Sequence, residues 1–176
     1  MTPDVNRLRR SLDQLHEMLE RIEFEFVDDP RWAKPSDFSY LTDADRGDPD
    51  IMDNVDAMAA TNELIAWFGQ DFEGYVGLWR GPNGLSLDEA PVVRLDSEGQ
   101  YYIVAATVPD YLAISVDRVE EESFGEIRRA LIAAGFDVRG SREEIWAAID
   151  GKRKSPNDYR LALYNQGRVR RGLRSI

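Results

Sequence analysis

Four carboxylates, Asp71, Glu73, Asp96 and Glu98, flank a stretch rich in glycine and aromatics, FGQDFEGYVGLWRGP at residues 68–82, and the strands predicted after it. Two or three acids at the right separation suffice for glycoside hydrolysis or for a metal-dependent nuclease, so a carboxylate-dependent hydrolase is one reading of this pattern. Its specificity is low, because 33 acids among 176 residues bring carboxylates together by chance. The other ingredients of catalysis are missing. The single histidine, His16, sits on a helical seam far in sequence from any acid cluster other than helix surface, and a general base needs an orienting partner and a nucleophile within reach. No cysteine is present, which removes disulfide scaffolds, zinc fingers, iron–sulfur clusters and thiol catalysis. No GxxxxGK loop exists, and no GxGxxG follows a predicted strand. The segment DADRGDPD invites a calcium reading, but from Asp43 the sixth position is Asp48 where the turn needs Gly, and the twelfth is Asn54 where a Glu belongs. The expectation is therefore a protein that is not an enzyme and needs no cofactor or metal.

The elements that must position these acids follow from periodicity. Val5, Leu8, Leu12, Leu15, Leu19 and Ile22 recur at spacings of three and four, predicting an amphipathic helix within residues 1–25. Such a helix does not bury enough to stand alone, so its seam packs on its own domain or on a second copy, leaving a homodimer open. Residues 26–54 are rich in Asp and Pro and read as an acidic loop. ATNELIAWFG, with Leu64, Ile65 and Phe68 on one face and Gly69 at its end, predicts a short helix. In FEGYVGLW, Phe72, Gly74, Val76 and Leu78 alternate with Glu73, Tyr75, Gly77 and Trp79, predicting a strand whose first set, with Phe72, Val76 and Leu78, faces the core. GPNG at 81–84 supplies a turn, and APVVRLD, DSEG and QYYIVAAT read as an antiparallel hairpin. Ser123 with Glu126, Ser141 with Glu144, and Ser155 with Pro156 mark three later helix starts. The fold class is α+β, a mainly antiparallel sheet packed with helices. Its core spans residues 55–150, and a basic helical extension occupies 151–176.

Charge is unevenly placed. Residues 151–176 hold eight Lys or Arg and one acid, a net +7, so the first 150 residues carry −18 of the total −11. So negative a body repels nucleic acid and steers toward basic surfaces, and the basic extension reads as compensation of that body. No apolar run reaches the roughly 18 residues needed to cross a bilayer, and the N-terminus lacks the apolar centre of a signal peptide, so the expectation is cytoplasmic, without membrane or nucleic-acid partners.

From about residue 64 to 114 the chain resembles the SUKH superfamily, bacterial toxin-immunity proteins related to fungal regulators of cell-wall synthesis. The resemblance rests on FGQDFEGYVGLW, then APVVRLDSEGQ, then AATVPDYLA, in that order, with Tyr111 and Leu112 at the opening of the following helix. It implies helices packed against a mainly antiparallel sheet, and function by occupying a cognate, basic toxin and occluding its active site. The residues that would serve such a partner are Asp71, Glu73, Tyr75, Trp79, Asp96 and Glu98, since interface cores favour aromatics while charge speeds encounter. A regulatory scaffold of the cell-wall type, joining partners through the N-terminal seam and the basic tail, is the alternative, and the carboxylate hydrolase stands behind both.

Overall fold

A computed structural model describes residues 2–27, 33–117, 124–149, 151 and 154–175. The chain is α+β. Five antiparallel strands, β1 (Glu25–Phe26), β2 (Ile65–Asp71), β3 (Gly74–Trp79), β4 (Val92–Asp96) and β5 (Tyr101–Ala105), form one meander in sequence order. Helices α1 (Pro3–Arg10), α2 (Leu12–Arg21), α5 (Val108–Asp117), α6 (Phe124–Ala133) and α7 (Arg142–Ala147) gather on one face. On the other face lie α4 (Pro49–Asn62), preceded by the short α3 (Asp43–Gly47), and α8 (Pro156–Arg170). Among the described residues no helix is long and apolar enough to cross a membrane.

Covering both faces gives two cores. Val76 and Leu78 of β3 join Phe68, Val92, Tyr111, Leu112, Ile127 and Leu131 in the larger one. On the other side Trp67, Trp79, Val93, Leu95 and Tyr101 pack beneath Met58 of α4 and Tyr159 of α8. The period of two in β3 and β4 therefore separates two interiors rather than an interior from solvent.

The N-terminal seam packs on its own domain. Val5, Leu8, Leu15, Leu19 and Ile22 are buried in the larger core. The helix is broken at Ser11, whose backbone leaves helical geometry between α1 and α2, and Leu12 is left 42% exposed. Apart from Leu12, the seam is thus covered by the chain's own domain.

Two expectations about the segments before β3 are corrected. The acidic stretch is largely helical where described, because its composition is cap chemistry. Thr42 and Asp45 form a reciprocal capping box for α3, and Asp48 accepts from the Asp50 amide ahead of Pro49 to start α4. The stretch expected to be a short helix around Ile65 is instead the end of α4 followed by β2, in which Ile65 and Trp67 point to one core and Ala66 and Phe68 to the other. Gly69 terminates no helix; its missing side chain leaves room for the ring of Phe24 against the sheet.

The later helix starts hold where they are described. Ser141 accepts from the Glu144 amide, and Ser155 forms a capping box with Asp158; Ser123 lies outside the described residues. The basic extension docks on the acidic body. Arg168 meets Asp50 at 2.7 Å, Arg160 donates to Asn54 at 2.6 Å, the Tyr164 hydroxyl donates to Asp50 at 2.9 Å, and Arg171 pairs with Asp50 and Asp53.

Strand β3 begins at Gly74, not at Phe72. Asp71 Oδ1 accepts from the amides of Glu73 and Gly74 at 2.9 and 3.0 Å, which turns the chain at Phe72–Glu73 and leaves Phe72 44% exposed rather than in the core. Gly74 has φ 150°, and a Cβ there would fall on the carbonyl of Leu95 in β4. Gly74→Ala is expected to lower unfolding free energy by roughly 2 kcal/mol or more, through strain at this backbone position and displacement of β4. Urea denaturation of the two proteins measures it, and an unchanged midpoint would contradict this account of the turn.

Candidate functional site

In a meander, alternate turns fall at the same end of the sheet, and here the β2–β3 and β4–β5 turns do so. Gly74 pairs directly with Asp96, so the β2–β3 turn with its acids lies beside the β4–β5 turn. Asp96 Oδ1 accepts from the amides of Glu98 at 2.9 Å and Gln100 at 2.8 Å, which fixes the β4–β5 turn and leaves Glu98 exposed. Two aromatics flank the acids: Phe72 and Tyr102, the latter 51% exposed beside Arg94 in register. Loss of solvation, followed by the Asp96 carboxylate and then Glu98, pushes the Tyr102 hydroxyl above its ordinary pKa. Glu25 of β1 pairs with Gln70, and the Phe72 amide donates to Ile22, so the acidic end continues to the close of α2.

Beneath this surface lies a buried polar cluster. Arg94 of β4 interrupts the apolar run VVRLD and is 5% exposed on the face covered by α5. Its Nη2 donates to Asp71 Oδ2 at 2.6 Å and to Ser115 Oγ at 3.3 Å, and its Nη1 pairs with Glu73. The Tyr111 hydroxyl donates to the same Asp71 oxygen at 2.8 Å. Asp71 therefore accepts from two turn amides, a guanidinium and a phenol, which satisfies both oxygens. Burial first, and then the Asp71 carboxylate, hold the Tyr111 hydroxyl well above its ordinary pKa against the opposing charge of Arg94. Two acids against one guanidinium leave one negative charge, and Glu73, 23% exposed at its side chain, carries it to the surface.

The six residues expected to meet a partner thus divide. Glu73, Asp96 and Glu98 come together on the exposed end. Asp71 lies in the buried cluster, so a partner cannot touch it without opening the domain. Trp79 is 2% exposed at the far end of β3, its ring beside Tyr159 and its Nε1 donating to the Lys154 carbonyl at 3.1 Å. The two corrections have different causes: α5 covers Asp71 through Tyr111 and Arg94, whereas α4 and α8 close the opposite face over Trp79. Tyr75 is half-buried on that same face, edge-on to Trp67 with ring centres 6.4 Å apart. The residues the sequence reading passed over are Phe72, assigned to the core, and Tyr102, Arg94 and Ser115. An arginine alternating in register with core valines was a signal for a buried charge seeking acids, and it was open to reading.

What can this arrangement do chemically? Asp71 accepts from four donors and Glu73 pairs with Arg94, so both carboxylates serve the cluster beneath the surface. Among the described residues no group of three or more His, Asp or Glu is placed to hold a metal ion. The exposed end of the sheet is acidic and carries the half-exposed rings of Phe72 and Tyr102. Comparisons with protein-family models, with curated proteins and with solved structures return no match for this chain.

Two outcomes follow from the cluster. Asp71→Ala leaves Arg94 short of its buried counter-ion and should cost roughly 3–5 kcal/mol in urea denaturation, whereas Glu98→Gln on the exposed turn should stay within about 0.5 kcal/mol. Equal effects would contradict the division between them. Burial also raises the Tyr101 hydroxyl, which donates to Asn62 at 2.6 Å. Unfolded tyrosine ionises near pH 10, so the two buried raised tyrosines, Tyr101 and Tyr111, contribute fully below about that pH, and stability falls as pH rises above it. In a spectrophotometric titration they should ionise only as circular dichroism is lost; ionisation of all seven tyrosines before that loss would overturn the prediction.

Proposed function

We propose that this chain is an immunity-type binding protein of the SUKH kind, which captures a cognate basic toxin and occludes its active site. The observation that carries the proposal is the acidic end of the sheet. Glu73, Asp96 and Glu98 stand there beside the half-exposed rings of Phe72 and Tyr102, on turns locked by Asp71 and Asp96. Aromatics between carboxylates offer anchors that fill a partner's pockets, while the acids steer a basic partner into place. The basic extension does not cancel this field, since Arg168 and Arg171 are engaged with Asp50 and Asp53 of α4. The order of strand, turn and helix motifs that resembles the SUKH superfamily supports the same reading. The scaffold alternative relied on a free N-terminal seam, and that seam is packed on the domain's own sheet.

The test is affinity capture of tagged protein from its own cells at low and high salt, with mass spectrometry, beside a Phe72→Ser/Tyr102→Ser/Glu98→Lys variant. The expected result is a single basic protein, released at high salt and bound about tenfold or more weakly by the variant. Capture that is the same for both proteins would sink the assignment of this surface, and recovery of several unrelated partners would sink the immunity reading.

A further inference from the structure

A second exposed apolar patch lies on α2, apart from the acidic end of the sheet. The break at Ser11 has a consequence for Leu12. Four residues after Leu8 and three before Leu15, it would be buried on an unbroken helix, yet it is 42% exposed. It lies with Leu19 and Phe24 in a groove of about 510 Å³, with Asp13, Glu20 and Glu23 around it. Leu19 is 4% exposed and Phe24 is partly buried, its ring edge-on to Phe26 at 5.0 Å, so the floor is apolar and held from below.

The charges of this groove are unlike those on α4. There the acids meet Arg168 and Arg171; here Asp13 and Glu23 have no cationic partner among the described residues. Glu20 has only His16, at 3.1 Å with both side chains exposed. Apolar floor and uncompensated acidic rim together specify one kind of occupant. We infer that the groove between α2 and the start of β1 docks a lysine- or arginine-rich amphipathic segment of a protein partner, its apolar face on Leu12 and Phe24 and its cations on the rim. The arginines of α1, which a second copy packed helix to helix would present, make contacts within their own chain. Arg7 donates to the Gly135 carbonyl, Arg9 donates to Val27 at 2.7 Å and covers the Phe26 ring, and Arg10 donates to Asn6.

The probe is a fluorescein-labelled amphipathic helix of Leu and Lys about three turns long, with a peptide of equal charge in which Ser replaces Leu. Binding is followed by anisotropy. The wild-type chain should bind the Leu peptide about tenfold or more tightly than the Ser peptide. Leu12→Ser and Glu20→Gln/Glu23→Gln should each weaken the Leu peptide by about tenfold, and Asp56→Asn/Glu63→Gln, removing equal charge from exposed positions of α4 and its end, by less than about threefold. All these positions are exposed or at the groove rim, and thermal melts confirm that the variants fold. Equal affinity for the two peptides, or equal losses in the two double variants, would show a response to overall charge and overturn the inference. So would a fall in affinity on Phe72→Ser/Glu98→Lys as large as that on Leu12→Ser, since the groove would then not be a separate surface. Sedimentation equilibrium completes the set: a wild-type dimer that Leu12→Ser converts to monomer would assign the groove to a second copy and overturn the choice of occupant.

Discussion

The pairing of Arg94 with Asp71 holds the domain's geometry at its acidic end. A guanidinium on a central strand, buried on the face that α5 covers, is costly unless its charge is met and its donors are satisfied. Asp71 meets it, and with its other oxygen also folds the β2–β3 turn, while the Tyr111 hydroxyl ties the same carboxylate to α5. One carboxylate thus links β2, β3, β4 and a helix. The exposed residues beside it, Phe72 and Glu73, inherit their positions from this link. A surface turn is ordinarily mobile; this one is anchored by a buried ion pair directly beneath it.

Charge is organised as well as abundant. The α4–α8 contact joins acids and arginines, and Arg94 meets Asp71 and Glu73 at the hairpin end, whereas the rim of the α2 groove remains acidic without an arginine on it. The domain therefore has distinct electrostatic faces despite its uniformly negative total. Association with a basic partner would be guided by the uncompensated faces, and salt would weaken that guidance more than it weakens the buried Arg94 cluster.

Features set by local chemistry were legible in the sequence. The β4–β5 hairpin, the GPNG turn and the starts of α7 and α8 depend on residues within a few positions of one another, and the structure has them where expected. The placement of Asp96 and Glu98 in the DSEG turn was legible for the same reason, whereas Glu73, expected within a strand, stands at a turn. What failed depended on tertiary layers. LIAWF fits a helical face or a strand equally well, and pairing with β3 decides for the strand. Asp-Pro and Thr-Asp spacings in the acidic segment read as loop composition although they are helix caps. Whether Trp79 and Asp71 reach solvent depends on helices distant in sequence, and no alternation within β3 reveals that both faces are covered.

The cover supplied by α8 also orders events in time. Its described contacts are mainly polar; Pro156 and Gly167 are its fully buried positions, with Tyr159 packed against the smaller core. Yet it completes the enclosure of Trp79, which lies in the middle of the chain. During synthesis all five strands leave the ribosome before α8 does, so the meander can pair while one side of its tryptophan-rich face still lacks a lid. Until α8 is made, that face is open to chaperones or to other chains beyond the cover of α4, and α8 closes it with arginines that meet Asp50 and Asp53.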